Sequence, residues 1–295
     1  MPYPLDVYPI RLRGCGFARN EKSLDITGMA EQHTIMDNTC FVKSNILTCP
    51  HGFSTRRGGV STGVFESLNL GRLERGDDPG KVLENWAIFG KAVGIDARRF
   101  VHGKQVHGNT VRIARAEDAH SITEEAPWES ADGYVTNISG LPLAVFTADC
   151  VPLLMQDPVA GVVAAIHCGW RPVAADIQKN ALEAMVSLGA REENIRAAIG
   201  PSIHRCCFQT GPEVAEAMET LLGGEGEGLY GPDPKEEGKL RLDLPGVVER
   251  RLLQLGVLPE HMEIIGDCTM CMPERYWSHR AMGLARGSQA NIIML

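Results

Sequence analysis

The pattern of hydrophobic and polar positions divides the chain at about residue 45. Residues 1–45 carry neither a helical nor an alternating period, which predicts an N-terminal extension, disordered or wrapped over a surface, ahead of a patterned region over 46–295. A short strand is expected over 46–53, and STRRGGVSTGVFESLNLG after it reads as a Gly-rich loop. In GDDPGKVLENWAIFGKAVG the pattern becomes helical: Val82, Trp86, Phe89 and Val93 recur three and four residues apart, behind Asp78 as N-cap and Pro79 at the first helical position. Short strands are expected around VHGKQVHGNTVRIA, then an acidic loop over 115–131, then a strand at DGYVT and two buried strands at 142–149 and 161–167. Downstream come a helix over 173–187, a strand over 195–199, a helix over 212–222, a surface loop over 223–238, a helix over 246–255 and strands over 262–266 and 290–295. Such alternation predicts a layered α/β architecture, and no linker or fixed-period repeat divides it.

Charge and composition then narrow the partners. Lys and Arg number 29 against 37 Asp and Glu, a formal net charge of -8, so the long-range field repels a phosphate backbone and nucleic acid is not expected as a partner. The longest apolar runs, such as 161–166, fall far short of the roughly 20 residues a membrane span needs, and no charged segment followed by an apolar one opens the chain. The 9 cysteines are an odd set scattered along a chain long enough to fold without staples, so they are expected as thiols in a cytoplasmic protein.

Several segments carry candidate chemistry. GVSTG, residues 59–63, matches the G-x-S-x-G elbow but lacks the strand before it and the helix after it that an elbow requires. Converging backbone N–H groups and the guanidinium of Arg56 make anion binding the better use of that loop, with a solvated surface turn as the alternative. CTMC, residues 268–271, is a lone C-x-x-C without the second knuckle of a structural zinc site, so its thiols are expected to pack without metal. The vicinal Cys206 and Cys207 receive the same reading, because neighbouring side chains in an extended segment point opposite ways. His107, Cys150 and His167 stand apart: Cys150 and His167 each terminate an apolar strand, and His107 precedes a Gly turn. Two imidazoles, a thiolate and an open fourth position make a catalytic zinc set. From the residues alone, a buried thiol and two satisfied histidines remain an equal alternative.

Taken in order, HGFSTRRGGVSTGVFESLNLG, QVHG, FTADCVPLL, AAIHCGWR, AAIGPSI followed by CCF, and DCTMC resemble the signature blocks of the multicopper polyphenol oxidoreductase, or laccase-domain, family over about residues 46–295. Its members are also described as purine nucleoside phosphorylases and are related to a bacterial peptidoglycan-editing factor. The resemblance implies a single α/β (α+β) domain of layered α/β/β/α type with mixed sheets, similar to cytotoxic-necrotising-factor catalytic domains. It implies zinc, with copper as the alternative, held by His107, Cys150 and His167, and a substrate pocket containing Arg56, Asn69 and Arg171. Arg56 and Cys150 would take part in catalysis, with Asp149 as a proton-transfer group or a support for Cys150. The implied partners are a purine nucleoside and phosphate, and the implied reactions are phosphorolysis of adenosine, inosine or methylthioadenosine and deamination of adenosine by a monomer or small homo-oligomer. Alternatives are copper-dependent phenol oxidation, for which the chain lacks any H-x-H pair, and a cysteine- or zinc-dependent amidase-like peptidoglycan-editing protein. Two positions depart from the family pattern: Pro172 stands where a glycine is usual in GWRPVA, and Ser288 where an arginine is usual in RGSQA, with Arg286 nearby as a substitute.

Overall fold

The computed structural model describes residues 40–71, 73 and 76–295. The extension expected over 1–45 therefore lies outside the described residues up to position 39, while the residues after it join the fold. Phe41–Val42 (β1) pairs antiparallel with His51–Ser54 (β2), and the backbone N–H and side chain of Asn45 both donate to Glu263. In the first sheet β2 is followed by Gln289–Ile293 (β13) and then Leu143–Thr147 (β5), all antiparallel. The second sheet has six strands in the order Met262–Ile264 (β12), Arg196–Ile199 (β8), Val151–Asp157 (β6), Val162–Cys168 (β7), Gly133–Thr136 (β4) and Val111–Ile113 (β3). It is mixed, because the outer pairs β12–β8 and β3–β4 run parallel and the inner pairs antiparallel. A small antiparallel sheet joins Tyr230–Pro232 (β10), Leu240–Leu242 (β11) and Gln209–Thr210 (β9).

Side-chain parity assigns the faces of these sheets. In β7, Val162, Ala164, Ile166 and Cys168 pack toward the helices Trp170–Ala174 (α2), Ile177–Ser187 (α3), Pro212–Leu222 (α4) and Leu244–Gln254 (α5), through Val173, Ile177, Met218 and Val248. Val163 and Ala165 face the other way, onto Phe53, Leu143, Val145 and Ile293 of the four-stranded sheet. That sheet's outer surface, with Ala144, Ala290 and Ile292, is covered by Val82, Trp86 and Phe89 of Pro79–Val93 (α1). The result is a helix, two sheets and a helical layer, in that order.

Local chemistry explains the element ends. Asp78 accepts from the backbone N–H of Lys81, Pro79 opens α1, and Gly94 closes it in the left-handed conformation. The cap is worth about 0.5–2 kcal/mol. Several boundaries shift from the sequence reading by a few residues, and Tyr230–Pro232, within the loop expected over 223–238, forms β10; two further departures have a visible cause. The strand expected over 142–149 stops at Thr147 as β5, Asp149 turns the chain with φ 86, and Val151–Asp157, expected to belong to the connection before the strand at 161–167, forms β6. Because β6 is buried on both faces, its apolar residues show no alternation by which a pattern could separate it from β5. The helix expected over 173–187 breaks at Asp176, φ 59, whose carboxylate accepts from the Arg251 guanidinium at 2.9 and 2.6 Å.

Gly200, just after β8, lies at a close approach between the sheets. A Cβ there would lie 2.2 Å from Phe53 Cδ1 and 2.8 Å from Pro152 Cγ. Gly200→Ala is expected to destabilise the domain by about 1–3 kcal/mol through overpacking, read as a lower urea midpoint at unchanged slope. An unchanged midpoint would show that the two sheets yield at this point.

Candidate metal centre and active site

His107, Cys150 and His167 converge where the hairpin of β6 and β7 opens. Val151 pairs with Cys168 and Pro152 with His167, so Cys150 sits at the start of one strand opposite the end of the other. The expectation that the pair lies at two strand ends holds with one change of element: Cys150 leads into β6 and does not terminate β5. His167 keeps the parity of Val163 and Ala165, away from the helices, whereas Cys168 is a core thiol raised well above its ordinary value by burial. Cys150 Sγ is 3.7 Å from His107 Nε2, the two imidazole centroids are 4.8 Å apart at 82°, and the three donor atoms all lie within 4.8 Å of one another. His107 is exposed, Cys150 half-buried and His167 buried.

One residue that the sequence reading left unassigned organises this set. Asp132, fully buried ahead of β4, accepts from His167 Nδ1 at 2.8 Å and from the backbone N–H groups of Val106, His107 and Gly108 at 3.1, 3.1 and 3.0 Å. Its own carbonyl accepts from the His167 N–H at 2.7 Å. His107 has φ 60, and this left-handed turn brings three successive N–H groups onto one carboxylate. The carboxylate accepts from His167 Nδ1, so the other ring nitrogen, Nε2, is the one left to ligate. Gln105 fixes the same loop by exchanging two hydrogen bonds, of 2.8 and 2.7 Å, with the Phe146 backbone. Gly169 keeps the centre open, since a Cβ there would lie 2.9 Å from His107 Cδ2 and 3.3 Å from Cys150 Sγ. The only sequence signal for Asp132 is an acidic residue at the mouth of an otherwise buried strand.

The electrostatics favour a thiolate. Burial by itself raises the Cys150 thiol, but the charge of His167 and hydrogen bonds from His107 and His167 outweigh it and bring the thiol down to about 6. Burial likewise opposes charge on His167, yet the Cys150 thiolate and the Asp132 hydrogen bond raise that imidazole to about 9. Asp132 is held below the usual carboxylate range: the bond from His167 and the loop N–H groups overcome its burial.

The centre forms part of the wall of a cavity of about 480 Å³ that Lys104, Phe146, Arg171, His279, Arg286 and Ser288 also line. Its volume suits a small-molecule ligand. Of the residues expected at a substrate pocket, Arg171 lines it, and Arg56 and Asn69 do not. The guanidinium of Arg56 stacks 3.9 Å above the Trp277 ring and donates to the Pro273 carbonyl at 2.8 Å. Asn69 is buried, donates to Asp77 and accepts from the backbone N–H of Ser288, so it reaches the cavity wall only through Ser288. Asp149 also stays off the wall: its carboxylate accepts from Thr269 Oγ1 and from the Arg280 N–H, both at 2.6 Å, and this anchors the strained turn next to Cys150. Ser61 of the G-x-S-x-G match is buried in a loop and donates to Asp77, in keeping with its exclusion as an elbow nucleophile.

The reading of Cys206–Cys207 and of Cys268–Cys271 as two unrelated pairs of thiols does not hold. Cys206, Cys207, Cys268 and Cys271 form one cluster with all four sulfurs within 4.8 Å of one another. The premise of an extended segment at Cys206 and Cys207 fails, because the chain turns there and the His204 carbonyl accepts from both Cys207 and Phe208 N–H at 2.8 Å. A turn lets adjacent side chains converge.

An α/β domain with two large stacked sheets and a His-His-Cys set on the wall of a small-molecule-sized cavity is the class of protein that fold and site define. The model of the family described as "Multi-copper polyphenol oxidoreductase laccase" matches residues 50–295, and the chain belongs to that family. A relative named "Purine nucleoside phosphorylase" from Deinococcus radiodurans is 42% identical over 208 residues, spanning 70% of this chain and 75% of the relative. "Adenosine deaminase RL5", from an unknown prokaryotic organism, is 33% identical over 240 residues, 80% of this chain and 90% of the relative. Among solved structures, the YlmD protein of Geobacillus stearothermophilus superposes with a TM-score of 0.77 at 30% identity, over 83% of this chain and 90% of that one.

Two measurements test the electrostatics of the centre. In metal-stripped protein, alkylation of Cys150 by iodoacetamide is expected to inflect near pH 6: below it the thiol is protonated and slow, above it the thiolate reacts. His167→Ala should move the inflection up toward an ordinary thiol, and an inflection already at the ordinary value in the parent protein would contradict the pairing. Asp132→Asn is expected to weaken metal binding by about 10–100-fold in chelator competition, because it releases both imidazoles from their orienting partner.

Proposed function

We propose that the chain is a zinc-dependent purine nucleoside enzyme, which splits adenosine, inosine or methylthioadenosine with phosphate and deaminates adenosine, in the cytoplasm. The observation that carries this reading is the convergence of two imidazoles and one thiolate on the wall of a cavity that also presents Lys104, Arg171 and Arg286. Two nitrogens and a sulfur with a side open to solvent are the donor set of catalytic zinc. Both reactions appear in the names of relatives that span most of this chain. His107, Cys150 and His167 would hold the zinc, which would supply Lewis acidity toward water or a substrate oxygen.

The protein's own groups then divide the work. Arg171 and Lys104, on the cavity wall, bind phosphate, with Arg286 contributing charge from a more buried position. Arg286 thereby takes the place of the arginine that Ser288 lacks. His279 Nδ1 lies 3.0 Å from the Gly283 carbonyl, which only accepts, so Nδ1 carries the proton and Nε2 is free to take one from a reacting group. Phe146 offers an aromatic edge for a purine. Arg56, Asn69 and Asp149 act as positioning residues, the first bracing the loop before Trp277, the second holding Ser288 and the third fixing the turn at Cys150.

Purified protein is expected to release free base from adenosine and inosine only when phosphate is present, to convert adenosine to inosine, and to contain zinc. His107→Ala, Cys150→Ala and His167→Ala should each lose the zinc of this centre and nearly all turnover while staying folded, and the losses should not add. Arg171→Ala should raise KM for phosphate by roughly 10-fold or more, from loss of a charge-assisted hydrogen bond, and leave zinc content unchanged. Copper at the centre, or nucleoside turnover that survives Cys150→Ala, would overturn the reading.

A further inference from the structure

The cysteine cluster lies outside the cavity and takes no part in the chemistry above. It is assembled from two loops far apart in sequence: the turn carrying Cys206 and Cys207 between β8 and β9, and the C-x-x-C turn after β12. These loops are zipped together next to the cluster by a parallel bridge of Ser202 with Cys268, in which Ser202 donates to Asp267 and Thr269 donates to Ser202. Cys207 Sγ is 3.3 Å and Cys206 Sγ 3.5 Å from Cys271 Sγ, and no sulfur pair exceeds 4.8 Å. Four sulfurs at about 2.3 Å from one ion stand about 3.8 Å from each other in a tetrahedron. The two pairs at Cys271 lie a few tenths of an ångström inside that value, and every other pair stays within 4.8 Å. The Cys268 sulfur accepts the backbone N–H of His204 at 3.5 Å, and the Cys271 N–H is directed to it as well, which is the way peptide groups stabilise a sulfur carrying negative charge. Arg241, ion-paired with Asp233, donates to the Cys206 carbonyl at 2.8 Å and fastens the same turn.

We propose that Cys206, Cys207, Cys268 and Cys271 form a second metal centre, a closed four-thiolate site for one structural zinc ion. On binding, each thiol gives up its proton to solvent and donates one sulfur lone pair to the ion, without change of oxidation state. With four protein ligands it has no open position, so its role is mechanical. Both loops it joins are tied to the turn that carries Cys150: the Ile203 N–H donates to the Asp149 carbonyl at 2.9 Å, and Thr269, inside the C-x-x-C, donates to the Asp149 carboxylate. The four-cysteine ion thus clamps the two segments that hold the strained Asp149 in place. This inference does not depend on which substrate the cavity takes.

The test compares zinc content and the zinc ligand shell in three proteins purified under reducing conditions. The parent chain should contain two zinc ions. Cys150→Ala, which empties the catalytic centre, should retain one, with an X-ray absorption shell of four sulfurs at about 2.3 Å and no nitrogen. Cys268→Ser/Cys271→Ser should retain the other, with a mixed nitrogen and sulfur shell, and should unfold at a lower temperature. If the double variant does not fold, the parent protein still decides: a thiol-specific mercurial should release two equivalents of zinc to a chromogenic chelator, and only one from Cys150→Ala. One zinc in the parent and none in Cys150→Ala would overturn the proposal. So would a disulfide from Cys271 to Cys206 or Cys207, found by mass spectrometry of the unreduced parent chain.

Discussion

The candidate site depends on the carboxylate of Asp132. A buried, ionised aspartate is costly unless its lone pairs are used, and here four N–H donors from two separate parts of the chain use them. Three come from the loop carrying His107 and the fourth from the ring of His167. One negative charge thereby sets the distance between two ligands that lie sixty residues apart in sequence. It also holds His167 in the tautomer that ligates, and its charge balances the imidazole that Cys150 pairs with. The rest of the second sheet serves to hold this carboxylate still: β4 carries it, β7 carries its partner, and their antiparallel register places Gly133 opposite Ile166.

The third ligand is held differently. Cys150 follows a non-glycine residue in the left-handed region, a conformation that costs free energy and persists only when the surroundings enforce it. The enforcing contacts are short bonds from Thr269 and from the Arg280 backbone, which belong to the C-terminal part of the chain. Geometry at the metal centre is therefore shared among three regions: the loop before β3, the central hairpin, and the segment running from β12 to α6, His279–Met282. This division explains why the signature blocks are spread along the whole chain instead of lying in one stretch.

How much of this was legible beforehand varied with the kind of signal. Helix α4 was readable to the residue, because Pro212 and Gly223 punctuate a clean helical period. The ligand triad was readable as candidates because an imidazole and a thiol at the ends of apolar runs are conspicuous. Strand β6, expected as part of the connection between the two buried strands, was hidden because a strand buried on both faces has no alternation to read. Asp132 was missed because its importance lies in what it accepts, and hydrogen-bond acceptance leaves no periodic trace in a sequence. The four-cysteine cluster was misread for a related reason: its halves are some sixty residues apart, and only the turn at His204 makes adjacent cysteines converge. Arg56 was placed by its motif, yet the face of Trp277 and the Pro273 carbonyl occupy its guanidinium.

The three candidate ligands differ in their contact with water, from exposed His107 through half-buried Cys150 to buried His167. That gradient would set an order of events for the exchange of an ion bound there. An incoming chelator meets His107 first, on a loop fastened by backbone N–H groups rather than by a strand, whereas His167 is locked into the centre of a sheet. Under the proposed zinc binding, release would begin with the detachment of the His107 imidazole and end at the Cys150–His167 pair. The lifetime of such an ion would follow how often a single loop opens, and its affinity the rigid hairpin beneath it.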